Sequence, residues 1–444
     1  MADQDKPHPL RLALFSLPSA PLLALALPIS IFLPPYYASH LGLPLAVVSA
    51  VFVGARIFDL LIDPLLGGVQ DRTISRLGRR KLWIVASAPF LMALVWFAFI
   101  GIPAGAPALI ATAGILALYF CYASMMIAHL SWAGELYPTY HGRTAALGAL
   151  QIAGLVGQIA MLGLAAYVVA SGLGDDDDAV HAMGWIIFAA IPLCVLICVL
   201  TTREKDAPPQ PHLTIRDAIR ALVTNPPLRS VLVPDVLTGV SQGVQSGLFL
   251  FFFQHVLLFW RESQMLLFVY FVAGLVGAPL WIWLGNKIGK HRALMIACLC
   301  TAATAAVLPF LPKGNLPVVA ALMFVGGLPT AAAGLLLRAM MADVVDEDEV
   351  KTSARRTGLF FGLLLTTNKL GLAAGPMTYA VLGIAGFVAT RGAANSEEAI
   401  FALTSLFVGL PIILNLLATW TLRSYDLDEA RQAALRAEID ARAI

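Results

Sequence analysis

Long apolar segments dominate this chain and constrain its fold more than any other feature. They recur at 11–38, 43–70, 82–103, 107–132, 146–171, 183–201, 231–259, 264–286, 293–311, 316–341, 357–386 and 399–422. A helix needs about 20 such residues to cross the hydrocarbon core of a bilayer. Hydrophobic residues make up 59% of the chain and charged residues 13%, whereas a soluble domain carries about a quarter charged residues. The sequence therefore predicts an all-α integral membrane protein with twelve transmembrane helices.

A polar, proline-bearing stretch divides the apolar segments into two sets of six. We therefore predict an N-terminal six-helix bundle over 1–201, a central loop over 202–230 and a C-terminal six-helix bundle over 231–422. An amphipathic tail helix is predicted over 423–444. The net charge of +2 is small, and the five cysteines lie in apolar segments without the spacing of a metal site. These features indicate the lipid bilayer as a partner and no nucleic acid.

Lysine and arginine residues are concentrated in alternate loops. They cluster at 72–81, 203–229, 287–292 and 351–356. The intervening loops contain few basic residues, and one of them contains the acidic run 175–178. Because basic loops stay on the cytoplasmic side, both termini are predicted to be cytoplasmic. The chain is expected to be a multi-pass protein of the inner (plasma) membrane.

The loops after the second and eighth segments have related sequences. The first reads GGVQDRTISRLGRRK and the second LGNKIGKHR, and they occupy equivalent positions in the two halves. Such internal similarity indicates a duplicated six-helix unit. A basic loop that merely obeys the positive-inside rule would explain the charge but not the matching glycines. The pattern resembles the loop signature of the major facilitator superfamily, which implies two pseudo-symmetric six-helix bundles.

Three ionisable residues lie inside the second segment, in ARIFDLLIDPLLGGVQDR. Asp59 and Asp63 are four residues apart and share one helix face, and Arg56 is one turn earlier. Charges at this depth are expensive and are functional by default. The pair predicts a site for a monovalent cation, either Na⁺ held by carboxylate oxygens or a proton retained because close carboxylates cannot both stay ionised. The alternative is a structural salt bridge between Arg56 and Asp59.

Lys369 is the lone lysine of the eleventh segment, within GLFFGLLLTTNKLGLAAG. Leucine and glycine flank it for about two turns, which disfavours snorkelling to the membrane surface. Buried lysines change protonation state readily. We therefore predict that Lys369 and Arg56 are the charge partners of the aspartates.

Charged residues at the end of the tenth segment and the start of the eleventh are candidates for a gate. The stretch MADVVDEDEVKTSARRTG contains Asp343, Asp346, Arg355 and Arg356, and Asp71 and Arg72 close the second segment. The sharper interpretation is a set of salt bridges that closes the inner mouth. The plainer one is a solvated cytoplasmic loop.

Several of these stretches together resemble the glycoside–pentoside–hexuronide:cation symporter family of the major facilitator superfamily. They are ARIFDLLIDPLLGGVQDRT, YPTYHGRT, MADVVDEDEVKT with ARRTGLFFG, and TTNKLG, and a more distant similarity links them to sodium–lysophospholipid symporters. The resemblance implies a cation site at Asp59 and Asp63, a hydroxyl ligand near Ser124 and a lysine at Lys369. Ile62 stands where the family often has a polar residue, which favours a proton over Na⁺.

The resemblance is weaker at the sugar site. Acidic residues expected in the first and fourth segments are absent, and Met126 occupies the latter position. The predicted solute-binding residues are Met126, His129, Trp132, Gln245 and Arg338. They suit an amphipathic, lipid-like solute better than a sugar, although the family implies a sugar. Ordinary packing is the alternative for His129 and Trp132, and snorkelling for Arg338.

The leading functional prediction is a symporter that moves an organic solute with H⁺ or Na⁺ by alternating access. A membrane-embedded enzyme or a channel is the alternative, but the chain contains no nucleophile turn, metal-protease motif, selectivity loop or phosphate-binding loop of the usual types. We therefore predict no catalytic residues, no cofactor and no metal beyond a possible Na⁺. A monomer is expected.

Overall fold

The computed structural model describes residues 9–136, 140–204, 225–352, 357–390 and 393–427, together with residues 431, 432, 434, 435 and 438. The regular structure within these residues is helical. Eleven of the helices are long and apolar enough to cross a membrane. The predicted all-α membrane fold is confirmed.

Twelve helical regions follow a short helix, Pro9–Ser16, which the turn at Leu17 and Pro18 separates from the first long helix. In chain order the regions are α1 (Ser19–His40), α2 (Leu45–Arg72), α3 (Arg79–Gly101), α4 (Ala108–Leu136), α5 (Tyr140–Ala170), α6 (Asp176–Thr201), α7 (Pro226–His255), α8 (Ser263–Ile288), α9 (Lys290–Phe310), α10 (Leu316–Lys351), α11 (Thr357–Leu372 and Ala374–Ile384) and α12 (Glu397–Leu422). They follow the predicted segments in number and order.

The tenth and eleventh regions differ from their predictions because each is two helices rather than one. The tenth consists of Leu316–Gly327 and Thr330–Thr352, with a turn at Leu328 and Pro329 between them. The break in the eleventh lies at Ala373, whose N–H still donates to the Lys369 carbonyl at 3.1 Å. A Cβ placed on Gly243 of α7 would lie 2.8 Å from the Leu372 carbonyl oxygen. The break in α11 therefore lies where its backbone is packed against that of α7.

Side chains cap several helices. Asp175 accepts hydrogen bonds from the N–H groups of Asp177 and Asp178, and Asp178 accepts one from the Asp175 N–H. This reciprocal capping box satisfies the first free N–H groups of α6 and places negative charge at its positive end. The acidic run at 175–178 thus begins a helix.

The chain forms two compact units. Unit 1 contains 1–210, 261–265 and 379–396, and unit 2 contains 211–260, 266–378 and 397–444. The core of unit 2 consists of buried side chains from α7 to α12, and Tyr425 and Leu427 of the tail extend it.

Glycines bring equivalent helices of each unit into backbone contact. In unit 1, a Cβ on Gly157 of α5 would clash with the Ala20 carbonyl of α1. In unit 2, a Cβ on Gly371 of α11 would lie 2.7 Å from the Gly239 carbonyl carbon of α7. The first and fifth helices of each half are therefore packed by the same device, in keeping with a duplicated unit.

Candidate functional site

The predicted cation-binding residues lie together on α2 in unit 1. Asp59 is 4% exposed, and Asp63, one turn later, is partly buried. The helix runs without interruption from Leu45 to Arg72, so the four-residue spacing keeps both carboxylates on one face.

Arg56 is held by residues from other helices. Its Nη2 donates to Ser30 Oγ of α1 at 2.6 Å, and its guanidinium lies 5.5 Å from the centre of the Tyr119 ring on α4. It also interacts electrostatically with Tyr379, which belongs to the part of α11 included in unit 1. A guanidinium fixed in this way supplies positive charge close to the aspartates.

In the structure, two tyrosines that are absent from the predicted site interact with the carboxylates. Tyr119 and Tyr122 of α4 interact electrostatically with Asp59, and Tyr122 does so with Asp63 as well. Their three-residue spacing directs both toward the same neighbour, a pattern the sequence contains but does not connect to α2. Tyr122 therefore offers a neutral oxygen near both acids.

Ser124, the predicted hydroxyl ligand, contacts other polar residues. Its Oγ lies 3.0 Å from Ser87 Oγ of α3, and its backbone carbonyl accepts a hydrogen bond of 2.8 Å from Gln70 Nε2. All three residues are buried. Gln70 lies about two turns beyond Asp63 on α2. The role of Ser124 as a cation ligand stays a prediction.

His129 and Trp132 take part in packing near the start of the chain. The ring nitrogens of His129 lie 2.9 Å from the Phe15 carbonyl oxygen and 3.3 Å from Ser19 Oγ. Trp132 packs edge-on against the Phe15 ring at 5.1 Å, with Lys81 Nζ 5.6 Å from its centre. Both side chains are fully buried, so these contacts favour the packing alternative over a solute-binding role.

The remaining predicted solute-binding residues are more accessible. Met126 in unit 1 and Gln245 in unit 2 are half-buried, and Arg338 in unit 2 is exposed. Lys369 is half-buried on α11.

An acidic residue of unit 2 forms a polar cluster that the predicted sites did not include. Asp235 of α7 is buried, and its Oδ2 accepts a hydrogen bond of 2.6 Å from Thr367 Oγ1 of α11. Asn368 also donates to this carboxylate, and Arg338 of α10 attracts it electrostatically. The signal available in the sequence was an aspartate inside an apolar segment.

The two related loops have equivalent ionic contacts. In unit 1, Glu135 Oε1 lies 2.9 Å from Arg79 Nη2 and 2.8 Å from Arg80 Nη2. In unit 2, Asp343 Oδ2 lies 2.6 Å from Lys290 Nζ. Each loop ends with a glycine of positive φ, Gly78 or Gly289, directly before the next helix. The loop similarity thus corresponds to a repeated structure.

Asp343 is also contacted by the tail of the chain. Gln432 Nε2 donates to Asp343 Oδ1, and the Tyr425 hydroxyl donates to Oδ2 at 3.5 Å. Burial, and next the negative charge of Asp343, raise the pKa of the Tyr425 phenol. One turn further along α10, Glu347 pairs with Arg431 at 2.8 Å.

The other predicted gating residues are less well defined. Asp346 is half-buried near the end of α10, and Arg72 is exposed at the end of α2. Arg355, Arg356 and the side chain of Asp71 lie outside the described residues. Their gating role stays a prediction.

Comparison with known proteins identifies the family. The family described as MFS/sugar transport protein matches residues 14–429. The chain belongs to this family. Membership confirms the resemblance found in the sequence and the major facilitator fold, and it identifies the chain as a membrane transporter rather than an enzyme.

Relatives of this family member include two kinds of carrier. It is 26% identical to a glucuronide carrier protein homolog of Escherichia coli, over 93% of this chain and 91% of that protein. It is 25% identical to the human sodium-dependent lysophosphatidylcholine symporter 1, over 88% of this chain and 78% of that protein. The fold is similar to the crystal structure of the nucleoside transporter NupG, with a TM-score of 0.67 and 16% identity over 94% of this chain and all of that one.

Proposed function

We propose that this transporter is a symporter that couples a cation bound at Asp59 and Asp63 to an organic solute by alternating access. The observation that carries the proposal is a buried carboxylate one turn from a second acid, inside a helix long and apolar enough to cross the membrane. Such groups are expensive to retain at this depth without a function. The relatives named as symporters support cation coupling.

The coupling ion that we propose is a proton. Two carboxylates in a low-dielectric site share a proton because both cannot stay ionised. Arg56, fixed by Ser30 and Tyr119, would favour ionisation of the second carboxylate. The Ile62 side chain provides no oxygen for Na⁺, which favours the proton. The Tyr122 hydroxyl is an oxygen near both acids, which leaves a ligand for Na⁺. Sodium coupling, as in the name of the human relative, is therefore the alternative outcome of the experiment.

The solute that we propose is amphipathic, with its polar group at Arg338 and Gln245 of unit 2. Arg338 is exposed and Gln245 is half-buried, so both can contact a solute. The named substrates of the relatives, a glucuronide and a lysophosphatidylcholine, both combine a polar group with a second moiety. The charge-partner role of Lys369 is supported by the sequence alone.

We propose that both termini are cytoplasmic, because the basic loops alternate as the positive-inside rule requires. The gate proposed at the inner mouth then includes Asp343, which Lys290 and the tail contact. The transporter is expected to lie in the plasma membrane as a monomer.

Uptake into proteoliposomes tests the proposed coupling. The purified protein should accumulate a lysolipid or a glucuronide when a proton gradient is imposed and should do so less, or not at all, with a sodium gradient. Asp59→Asn and Asp63→Asn should abolish gradient-driven accumulation by removing an ionisable group from the site. Asp426→Asn, at an exposed acid, is the matched control and should behave as wild type.

Two results would contradict the proposal. Accumulation that persists in both variants would show that the cation does not use this pair. A dependence on sodium alone would retain the site but replace the proton with Na⁺.

A further inference from the structure

Asp235 is a buried acid that the proposed cation site and gate do not use. It lies on α7 in unit 2, is 4% exposed and belongs to a helix long and apolar enough to cross the membrane. A carboxylate at such a position is a functional candidate by default, and its partners indicate the function.

Two neutral donors of α11 fix this carboxylate. Thr367 Oγ1 donates to Asp235 Oδ2 at 2.6 Å, and the Asn368 side chain donates as well. The close approach of Gly239 to Gly371, one turn further along both helices, holds α7 against α11. The carboxylate is therefore positioned by backbone packing and not only by its own hydrogen bonds.

Arg338 of α10 is a charged group that attracts Asp235 electrostatically. On α11, Lys369 lies two residues beyond Thr367 and is therefore about 200° around the helix from it. On α12, the sequence has no charged residue between Ala399 and Leu422, and the polar Asn415 donates to Ser241 of α7 at 2.9 Å. The exposed guanidinium thus acts electrostatically on the buried carboxylate and offsets part of its charge.

We propose that Arg338 binds an anionic group of the solute and that Asp235 takes up a proton when it does. The proposal rests on the transport function proposed above and names a class of solute, one with a carboxylate or a phosphate. The planar guanidinium matches both groups through paired N–H donors. Sugar carboxylates and lysolipid phosphates share this chemistry.

The charges of the cluster balance through the binding step. In the empty site, the positive charge of Arg338 offsets the negative charge of Asp235. An arriving anion places a second negative charge near Asp235, which disfavours the ionised carboxylate in a low dielectric. The carboxylate gains one proton from solvent, no bond of the solute is broken, and the occupied cluster is again neutral.

Binding calorimetry on the full chain in lipid nanodiscs tests this coupling. The probes are two pairs that differ in the anionic group: methyl glucuronide with methyl glucoside, and palmitoyl lysophosphatidic acid with monopalmitoylglycerol. Titrations in two buffers of different ionisation enthalpy give the number of protons taken up, and empty nanodiscs correct for partitioning. The pair that binds identifies the source of the anionic group.

For the wild type, we expect one anionic probe to bind about tenfold more tightly than its neutral partner, since hydrogen bonds to a charged group are the stronger ones. Its binding should take up protons and weaken as the pH rises. Asp235→Asn should retain the preference for the anion but lose the proton uptake and the pH dependence. Asp235→Glu should restore both, and Arg338→Gln should lose the preference.

The inference is overturned if neither anionic probe binds more tightly than its neutral partner, including the case in which no probe binds. It is also overturned if Asp235→Asn still takes up a proton, or, should that variant fail to fold, if Arg338→Gln retains the preference. Accumulation that depends on Asp59 would survive either result, so failure here is distinguishable from failure of the proposed symport.

Discussion

The loop after α2 and the loop after α8 occupy equivalent positions in the two halves, and both bring basic residues to an acid of a later helix. In unit 1 the acid is Glu135 and its partners are two arginines, one of which, Arg80, is 4% exposed. In unit 2 the acid is Asp343 and its partner Lys290 is 28% exposed. These two contacts, the first and the second junction, therefore share a design. Both acids are largely buried, with Glu135 10% and Asp343 3% exposed, and the difference in access to water lies in their basic partners.

This difference indicates different tasks for the two junctions. At the first junction a second acid adds support. Glu204 accepts hydrogen bonds from the backbone N–H groups of Arg80 and Lys81 at 2.8 and 3.0 Å. The second junction is contacted instead by Tyr425 and Gln432 of the tail. A buried junction is a fixed support, whereas a partly solvated one can exchange partners.

The largest effect should come from Glu135→Gln. The substitution leaves Arg80 buried without its counter-charge, and losing one member of a buried ion pair lowers the free energy of unfolding by about 3 kcal/mol. Thermal unfolding of the purified protein in detergent measures the loss. Asp426→Asn is the control, because Asp426 and its partner Arg431 are both exposed and such pairs contribute little. A variant as stable as the control would mean that the first junction is not a support.

A smaller effect is expected from Asp343→Asn. Lys290 can turn its ammonium group to water when the charge of Asp343 is removed, so the loss should be about 1–2 kcal/mol. The measurement is the same unfolding experiment, with solute uptake recorded alongside. If this substitution destabilised the protein as much as Glu135→Gln, the proposed difference between the junctions would be wrong.

The sequence alone predicted the fold because length and hydropathy determine helices in a membrane. Backbone groups must be satisfied internally in lipid, so each apolar segment of sufficient length forms a helix. The break in α11 was missed because it arises where α7 and α11 come into contact through Gly243. Contacts between distant segments leave no periodic signal along the chain.

The sequence could group candidate site residues only where they share one helix. The spacing of Asp59 and Asp63 fixes their common face, as α2 bears out in the structure. Tyr122 was missed, and Asp235 was not assigned to a site, because their partners come from other helices. His129 was assigned to the solute-binding set because a polar residue in an apolar segment suggests function, whereas its ring nitrogens contact Phe15 and Ser19.

The smallest effect should come from Tyr425→Phe, which removes the tail's hydroxyl from Asp343. The hydrogen bonds to Asp343 Oδ2 and the Met340 carbonyl are long, at 3.5 and 3.4 Å, so the loss should be about 0.5 kcal/mol or less. Burial and Asp343 raise the pKa of this phenol in the folded protein. Its contribution is therefore fully present below the unfolded pKa of about 10 and is lost as the pH rises above it. Unfolding measured from pH 6 to 10.5 should show a constant small deficit for the variant that closes above pH 10. A deficit that grows with pH would mean that the phenol ionises more easily in the folded protein than in the unfolded chain.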